Sequence, residues 1–152
     1  MARTFFTAAN VTAKALVAAT AQTVLQIKAP AAQRVAVQQI TISFDGTVNT
    51  AVPVKVQVYR QTTDGTRAGT TATIVKKDND VSTAVQTAAY DTFTAEPTAG
   101  DQHWICFIHP QTGVIYPLPI PGEIILAGGG RLGVVCTAPA SVDCLVTIEG
   151  EE

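Results

Sequence analysis

Hydrophobic and polar residues alternate with a period of two through most of this chain, a pattern typical of β-strands that bury one face. The clearest example is PVKVQVYR at 53–60, where Val54, Val56 and Val58 fall on one side. Comparable runs predict further strands near 23–29, 34–44, 70–77, 87–95, 102–110, 123–127, 131–137 and 142–149. Turn residues separate these runs at intervals of roughly 8–12 positions, which predicts an all-β fold built as an antiparallel sandwich or barrel.

Three stretches interrupt the simple alternation. In 34–44 the apolar parity changes at Gln38 and Gln39, which predicts a β-bulge or a change of face. The segment QHWICFIHP at 102–110 is almost continuously apolar and predicts a strand buried on both sides. Prolines at alternate positions in GVIYPLPIPGE (113–123) place that stretch at a sheet edge or in a crossing loop, because proline cannot donate to a strand ladder.

The N-terminal residues show no clear strand before position 23. The alanine-rich stretch 11–22 is the one helix candidate, but its threonines and valines weaken that interpretation. An extended arm that packs on a neighbouring molecule is at least as well supported. We therefore expect an arm at 1–21, with Phe5 and Phe6 as apolar anchors, followed by a β-sandwich domain at 22–152.

Composition adds information about the surface. Hydrophobic residues make up 47% of the 152 residues and charged residues 14%, against roughly 25% charged residues in an ordinary globular protein. Because the apolar residues are strongly patterned, the low charge indicates a folded domain that is partly covered by copies of itself or by a partner. The net charge is −2 and the ten basic residues are scattered, which argues against nucleic-acid binding. No apolar run approaches the roughly 20 residues of a membrane span.

The glycines in EIILAGGGRLGVVCTAP (123–139) match the spacing of a dinucleotide-binding loop at Gly128, Gly130 and Gly133. Such a loop needs a helix after the glycines, because the helix N-terminus holds the pyrophosphate. Here the following VVCTAP is β-branched and ends at Pro139, so no helix can begin there. The glycines are better explained as a turn between two strands, with backbone angles that other residues avoid.

The three cysteines are Cys106, Cys136 and Cys144, and an odd count argues against a fully paired disulfide framework. A hairpin centred near Pro139 and Ala140 would place Cys136 about opposite Cys144, within reach of a disulfide. A pair of free buried thiols and a cross-strand bridge both remain open.

The remaining chemistry-bearing residues form no recognisable active site. His103 and His109 have no local cluster of metal ligands around them, and the serines lie outside any nucleophile-elbow context. The run DNDVST at 78–83 begins like a calcium loop but lacks its glycine and its closing glutamate. We therefore expect no enzyme activity, no catalytic residue, no metal and no cofactor.

Several loop phrases resemble those of a group of small virion proteins of tailed bacteriophages, the capsid decoration or cement proteins. The phrases are ISFDGT, RQTTDGT, TFTAEPTAGD, HPQTGV and GGGRLGVVCTAPASV, with EGEE at the end. The resemblance covers about 22–152 and implies a jelly-roll-like β-sandwich. It further implies a location on the outer surface of the virion capsid, after assembly in the host cytoplasm. Such proteins are often trimers, and the implied partner is the major capsid protein.

A structural role follows from this resemblance and from the low charge, with capsid stabilisation by bridging of capsomers. We expect the arm residues Phe5 and Phe6 and the proline-rich residues Tyr116, Pro117 and Pro119 to be the partner contacts. The alternative is a receptor- or glycan-binding module on the virion surface. Its sugar-binding surface would be lined by aromatic side chains: Tyr59, Tyr90, Trp104 and Tyr116.

Overall fold

All regular secondary structure in the described chain is β-strand. The computed structural model describes residues 3–68, 72–78 and 84–152. The strands are β1 (Phe5–Ala9), β2 (Lys14–Ala15), β3 (Ala21–Lys28), β4 (Val35–Phe44), β5 (Val54–Gln61), β6 (Thr66–Arg67), β7 (Thr73–Lys76), β8 (Ala88–Tyr90), β9 (Phe93–Ala95), β10 (Ala99–Ile108), β11 (Gly113–Pro117), β12 (Ile124–Leu126), β13 (Arg131–Thr137) and β14 (Asp143–Glu151). Within these residues there is no helix that could cross a membrane.

The strands form two antiparallel sheets that pack against each other. Sheet A has the order β11-β4-β14-β1-β7, with β12 also paired to β4 and β2 to β14. Sheet B has the order β10-β5-β13-β3-β8, and β6 and β9 form a separate two-stranded ribbon. The strand pairs are nested along the chain, because β1 pairs with β14, β3 with β13, β4 with β11 and β12, and β5 with β10. Successive pairs alternate between the sheets, as in a jelly roll, which confirms the predicted fold class.

The core lies between the sheets and follows the predicted alternation. Val54, Val56 and Val58 of β5 are fully buried. The predicted irregularity in 34–44 is confirmed, because the register between β4 and β14 shifts at Glu149 and Gly150, opposite Gln39 and Val37. The shift lets β4 bury valines before the bulge and isoleucines after it.

The N-terminal segment belongs to the sandwich and does not form a free arm. β1 lies inside sheet A, between β14 and β7, and Phe6 is fully buried in the core. Leu16, after β2, is buried as well. The physical reason is that the last strand, β14, needs a partner on this side, and the alternation in FFTAA suits a strand with one buried face. The predicted boundary between 21 and 22 therefore falls at the beginning of β3 and does not separate two units.

The two sheets differ in what covers their outer faces. The connection between β5 and β10 folds over sheet B, where the Glu96 carboxylate accepts a hydrogen bond from the Thr23 backbone N–H at 2.7 Å. In the same connection, Asp64 forms ion pairs with Lys28 of β3 and Arg131 of β13. The outer face of sheet A has no comparable cover among the described residues.

We expect Phe6→Ala to destabilise the fold by about 3–5 kcal/mol, because it removes a fully buried aromatic side chain from the core. Phe5→Ala is the matched control, since Phe5 lies on the same strand but is only half-buried, and its cost should be clearly smaller. Urea unfolding followed by the fluorescence of the single tryptophan measures both. An equal loss of unfolding free energy in the two variants would contradict the burial of Phe6 and indicate that residues 5–9 form a loosely attached arm.

Candidate binding surface

The outer face of sheet A is a broad surface of neutral side chains. Its central row runs across four strands, because Thr41 of β4 lies opposite both Ile115 of β11 and Thr147 of β14, and Thr147 lies opposite Ala9 of β1. Aliphatic side chains stand out from this row and its neighbours: Ile115, Leu145 and Val75 are all exposed, Ile115 to 61%. The face therefore presents methyl-rich and hydroxyl groups that a partner can cover without removing many charges from water.

Charge on this surface is largely paired. From Ile115 across to Val75, the charged side chains are Glu149 and Lys77, whose carboxylate and ammonium groups lie 2.6 Å apart. Farther along β14, Glu151 is buried and accepts a hydrogen bond from Arg3 at 3.4 Å. Each of these two anions has a cation beside it, whereas Asp143, on the same side of β14 as Leu145, forms no ion pair among the described residues. The net charge of the face is therefore small, with Asp143 as its unpaired anion.

Of the predicted contact residues, two lie on this face and one beside it. Phe5 and Pro117 follow the outward alternation of β1 and β11, and Pro119 is exposed in the loop between β11 and β12. The prediction that the proline-rich stretch lies at a sheet edge is confirmed, because β11 is the edge strand of sheet A.

The other two predicted contacts point inward. Phe6 lies in the core, as described above. Tyr116 turns between the sheets and stacks on Trp104 of β10, with ring centroids 4.6 Å apart and planes 10° from parallel. This stack closes the open side of the sandwich, so only the edge of the Tyr116 ring is accessible to a partner.

Sequence reasoning missed the aliphatic residues of the face. The outward direction of Leu145 follows from the alternation in VDCLVTIE (142–149), which places it on the side opposite to Cys144 and Val146. The outward direction of Val75 could not be predicted, because the four residues of β7 are too few to determine which side each one faces.

The prediction that 102–110 is buried on both sides is wrong. β10 is the edge strand of sheet B, and its outward side chains Ile105 and Phe107 are 47% and 70% exposed. A continuous apolar run marks a strand with little polar surface, but it does not show whether anything in the same chain covers it. This strand is thus a second apolar surface, distinct from the face of sheet A.

The two buried cysteines meet across the core and not across a hairpin. Cys136 lies in β13 of sheet B and Cys144 in β14 of sheet A, because the turn near Pro139 carries the chain from one sheet to the other. Their sulfur atoms are 3.9 Å apart, and both thiols are free. The neighbouring Cys144 and burial raise the pKa of Cys136 well above its usual range, so the Cys136 thiol is a poor nucleophile at neutral pH. Both side chains are buried and serve as packing groups.

The glycine motif is structural. Gly129 has a positive φ of 75°, and the Gly130 N–H donates to the Ala127 carbonyl at 2.8 Å, so the glycines form a turn between β12 and β13. Strand β13 begins at Arg131, directly after this turn, which excludes the helix that a nucleotide-binding loop requires. Gly133 has a separate role, because a Cβ atom there would lie 2.3 Å from the Gln61 side-chain oxygen.

A buried polar network surrounds Gly133 on the covered side of sheet B. The Gln26 amide donates to Gln61 at 2.7 Å, and the Gln61 amide donates to the Thr23 hydroxyl at 3.1 Å. Close by, Asp64 is held by Lys28, Arg131 and Arg67, and the hydrogen bond from Arg131 is the main cause that keeps the Asp64 pKa well below its usual range. These contacts fix the connection over sheet B. Within them, the Gln26 side-chain oxygen is buried without a hydrogen-bond partner.

No group of three or more His, Cys, Asp or Glu side chains in the described ranges could hold a metal ion. The predicted calcium-like run DNDVST lies mostly outside the described residues, because 79–83 are not among them. Comparison with protein-family models, curated proteins and solved structures finds no match to this chain.

We expect Gly133→Ala to destabilise the fold by about 1–3 kcal/mol, because the new methyl group displaces Gln61 from its buried hydrogen bonds. Repeating the substitution in a Gln61→Ala background should remove most of that cost, since the obstructing side chain is then absent. Denaturant unfolding of the four proteins in this cycle gives the coupling. The same cost in both backgrounds would show that Gly133 is required for its backbone and not for the space it leaves.

Proposed function

We propose that this protein is a structural subunit of a bacteriophage virion, which decorates and stabilises the outer surface of the icosahedral capsid by bridging capsomers. In this proposal the outer face of sheet A binds the major capsid protein. The observation that carries it is the face itself, which is broad, has Asp143 as its one unpaired charge among the described residues, and is open around Ile115, Leu145 and Val75. Such a surface suits a permanent contact better than a transient encounter guided by charge.

The architecture supports this role. Both sheets are tied by long strand ladders, and the described core is continuous from Phe6 to Ile148. A rigid sandwich loses little conformational freedom when it binds, so a modest contact area is used efficiently. A particle that presents many identical sites lets weak contacts add, if one subunit touches more than one capsomer. The resemblance of the loop phrases to decoration proteins points to the same role.

The glycan-binding alternative has less support from the side chains that would carry it. Trp104 and Tyr116 stack on each other, which occupies one ring face of each. The guanidinium of Arg67 lies 3.2 Å from the ring centre of Tyr90, and the Tyr59 hydroxyl accepts a hydrogen bond from Gln57. A sugar platform needs free aromatic faces, and three of these four rings already have one face in contact within the chain, while the contact of Tyr59 is at its hydroxyl.

Binding to empty heads tests the proposal. Heads would be prepared from a deletion mutant of the phage that encodes the chain, before and after expansion, then mixed with purified protein and sedimented. We expect Ile115→Lys and Leu145→Lys to weaken binding about ten-fold or more, because each replaces an apolar side chain in the contact by an ammonium group that must leave water. Val52→Lys is the matched control. The exposed fraction of Val52, 64%, is similar to the 61% of Ile115, but Val52 lies in the loop between β4 and β5.

Two results would contradict the proposal. One is wild-type protein that stays in the supernatant with both forms of the head. The other is binding that is equal for all three lysine variants, which would move the contact away from sheet A. Circular dichroism and unfolding of each variant would establish that the fold is intact before binding is compared.

A further inference from the structure

The two sheets have four edges, and among the described residues the second half of β10, from Trp104 to Ile108, is the part of an edge without the usual protection. At the far side of the sandwich, β8 has three residues, and β7 has four and includes Lys76. On the near side, β11 ends at Pro117. Short strands, lysines and prolines are the usual means of preventing edge-to-edge pairing. β10 has ten residues with no lysine or proline among them.

The second half of β10 is a regular and apolar edge. From Trp104 to Ile108 each residue pairs in turn with β5, and the register shifts are confined to the part between Ala99 and Trp104. In the described chain, no backbone hydrogen bond from a loop reaches this stretch. Ile105 and Phe107 point outward, as their exposure shows, and Cys106 between them is half-buried. The stretch WICFI therefore offers free backbone groups and uncharged side chains together.

We propose that this edge binds the same edge of a second copy of the chain, in an antiparallel pair about a twofold axis at Cys106. In that register Trp104 lies opposite Ile108 of the second copy, Ile105 lies opposite its Phe107, and the two Cys106 residues face each other. The two five-stranded B sheets then become one continuous sheet. The interface is isologous, so each copy contributes the same residues.

The choice of a second copy as the occupant rests on self-complementarity. Cys106 is the midpoint of the regular stretch, and reversing WICFI about it places an apolar or thiol side chain opposite each of the five residues. No charged group has to leave water, and the nearest charge on the strand, Asp101, lies outside the paired region. A foreign strand would have to supply the same pattern, whereas a second copy always does.

This contact is small. An interface made by five residues of one edge buries less than the roughly 800 Å² per partner of a stable complex, so we infer a dimer that forms at high protein concentration and dissociates on dilution. The inference is independent of the proposed function, because it needs neither a shell nor the face of sheet A. On a particle, the same contact would join neighbouring subunits.

Cross-linking at Cys106 tests the register. Cys136 and Cys144 are fully buried, so Cys106 is the thiol that reagents reach in the folded protein. Burial raises the pKa of Cys106, so the reaction is run in alkaline buffer with a short bis-maleimide. A parallel reaction uses diamide, which takes up two electrons and two protons as two thiols become one disulfide. We expect covalent dimers from the wild type and none from Cys106→Ser.

Sedimentation velocity over a concentration series tests the contact without chemistry. We expect the wild type to shift from monomer towards dimer, and Phe107→Lys to remain monomeric, because two ammonium groups then lie in the paired edges. Val52→Lys is the control, with similar exposure on another surface, and should associate like the wild type.

Three outcomes would overturn the inference. They are a wild type that remains monomeric at the highest concentration reached, an oligomer that survives Phe107→Lys, and an oligomer that cannot be cross-linked through Cys106. None depends on binding to heads. A protein that dimerises but ignores heads would contradict the proposed function alone, and one that binds heads but remains monomeric at the highest concentration reached would contradict this inference alone.

Discussion

The antiparallel pairing of β1 with β14 is the contact on which the sandwich depends. It joins the first and last strands through five residue pairs, from Phe5 opposite Glu151 to Ala9 opposite Thr147. Both ends of the pairing are secured. Thr4 and Glu152 exchange backbone hydrogen bonds of 3.0 Å, and the Asn10 side chain accepts from the Val146 N–H at 2.8 Å. Through β1, sheet A extends to β7, since the Lys77 N–H donates to the Phe5 carbonyl at 2.8 Å. Without β1, the candidate binding face would be narrower by two strands.

The charged side chains have different roles on the two sheets. The connection over sheet B is anchored by Asp64 with its three cations, and by Lys14, whose ammonium donates to the Asp91 carbonyl at 3.4 Å. Burial lowers the pKa of Lys14, although Glu96 and Asp91 oppose the shift. Because these groups fix one part of the chain to another, they are unavailable to an external partner. The surface with few charged side chains is therefore confined to the outer face of sheet A and to the β10 edge.

Sequence reasoning predicted the architecture well, because the fold depends on the alternation of apolar and polar residues along each strand, which can be read directly from the sequence. The bulge at Gln38 and Gln39 and the edge position of Pro117 follow from local rules about parity and donors. The errors concern relations between distant parts of the chain. β13 and β14 can form a hairpin, or the turn between them can carry the chain to the other sheet, depending on which strands compete for pairing. The change of sheet determines the position of Cys136 relative to Cys144.

The candidate surface was harder to predict than the fold. Phe5 and Phe6 are chemically identical, and only the pairing of β1 shows that one is a core residue and the other lies outside. The exposure of Ile105 and Phe107 likewise depends on β10 being last in its sheet, which no local pattern encodes. An apolar side chain identifies a surface only after the topology shows whether the same chain covers it.

The Trp104–Tyr116 stack connects the two apolar surfaces. It joins β10, the edge of sheet B, to β11, the edge of sheet A, and so holds the open side of the sandwich in one conformation. The two surfaces are therefore held in position relative to each other, so neither of the proposed contacts has to order this side of the sandwich. Because one lies on a sheet face and the other on a sheet edge, a subunit can use both at once. Simultaneous contacts of this kind convert individually weak associations into slow dissociation, and for that purpose neutral surfaces of moderate area are sufficient.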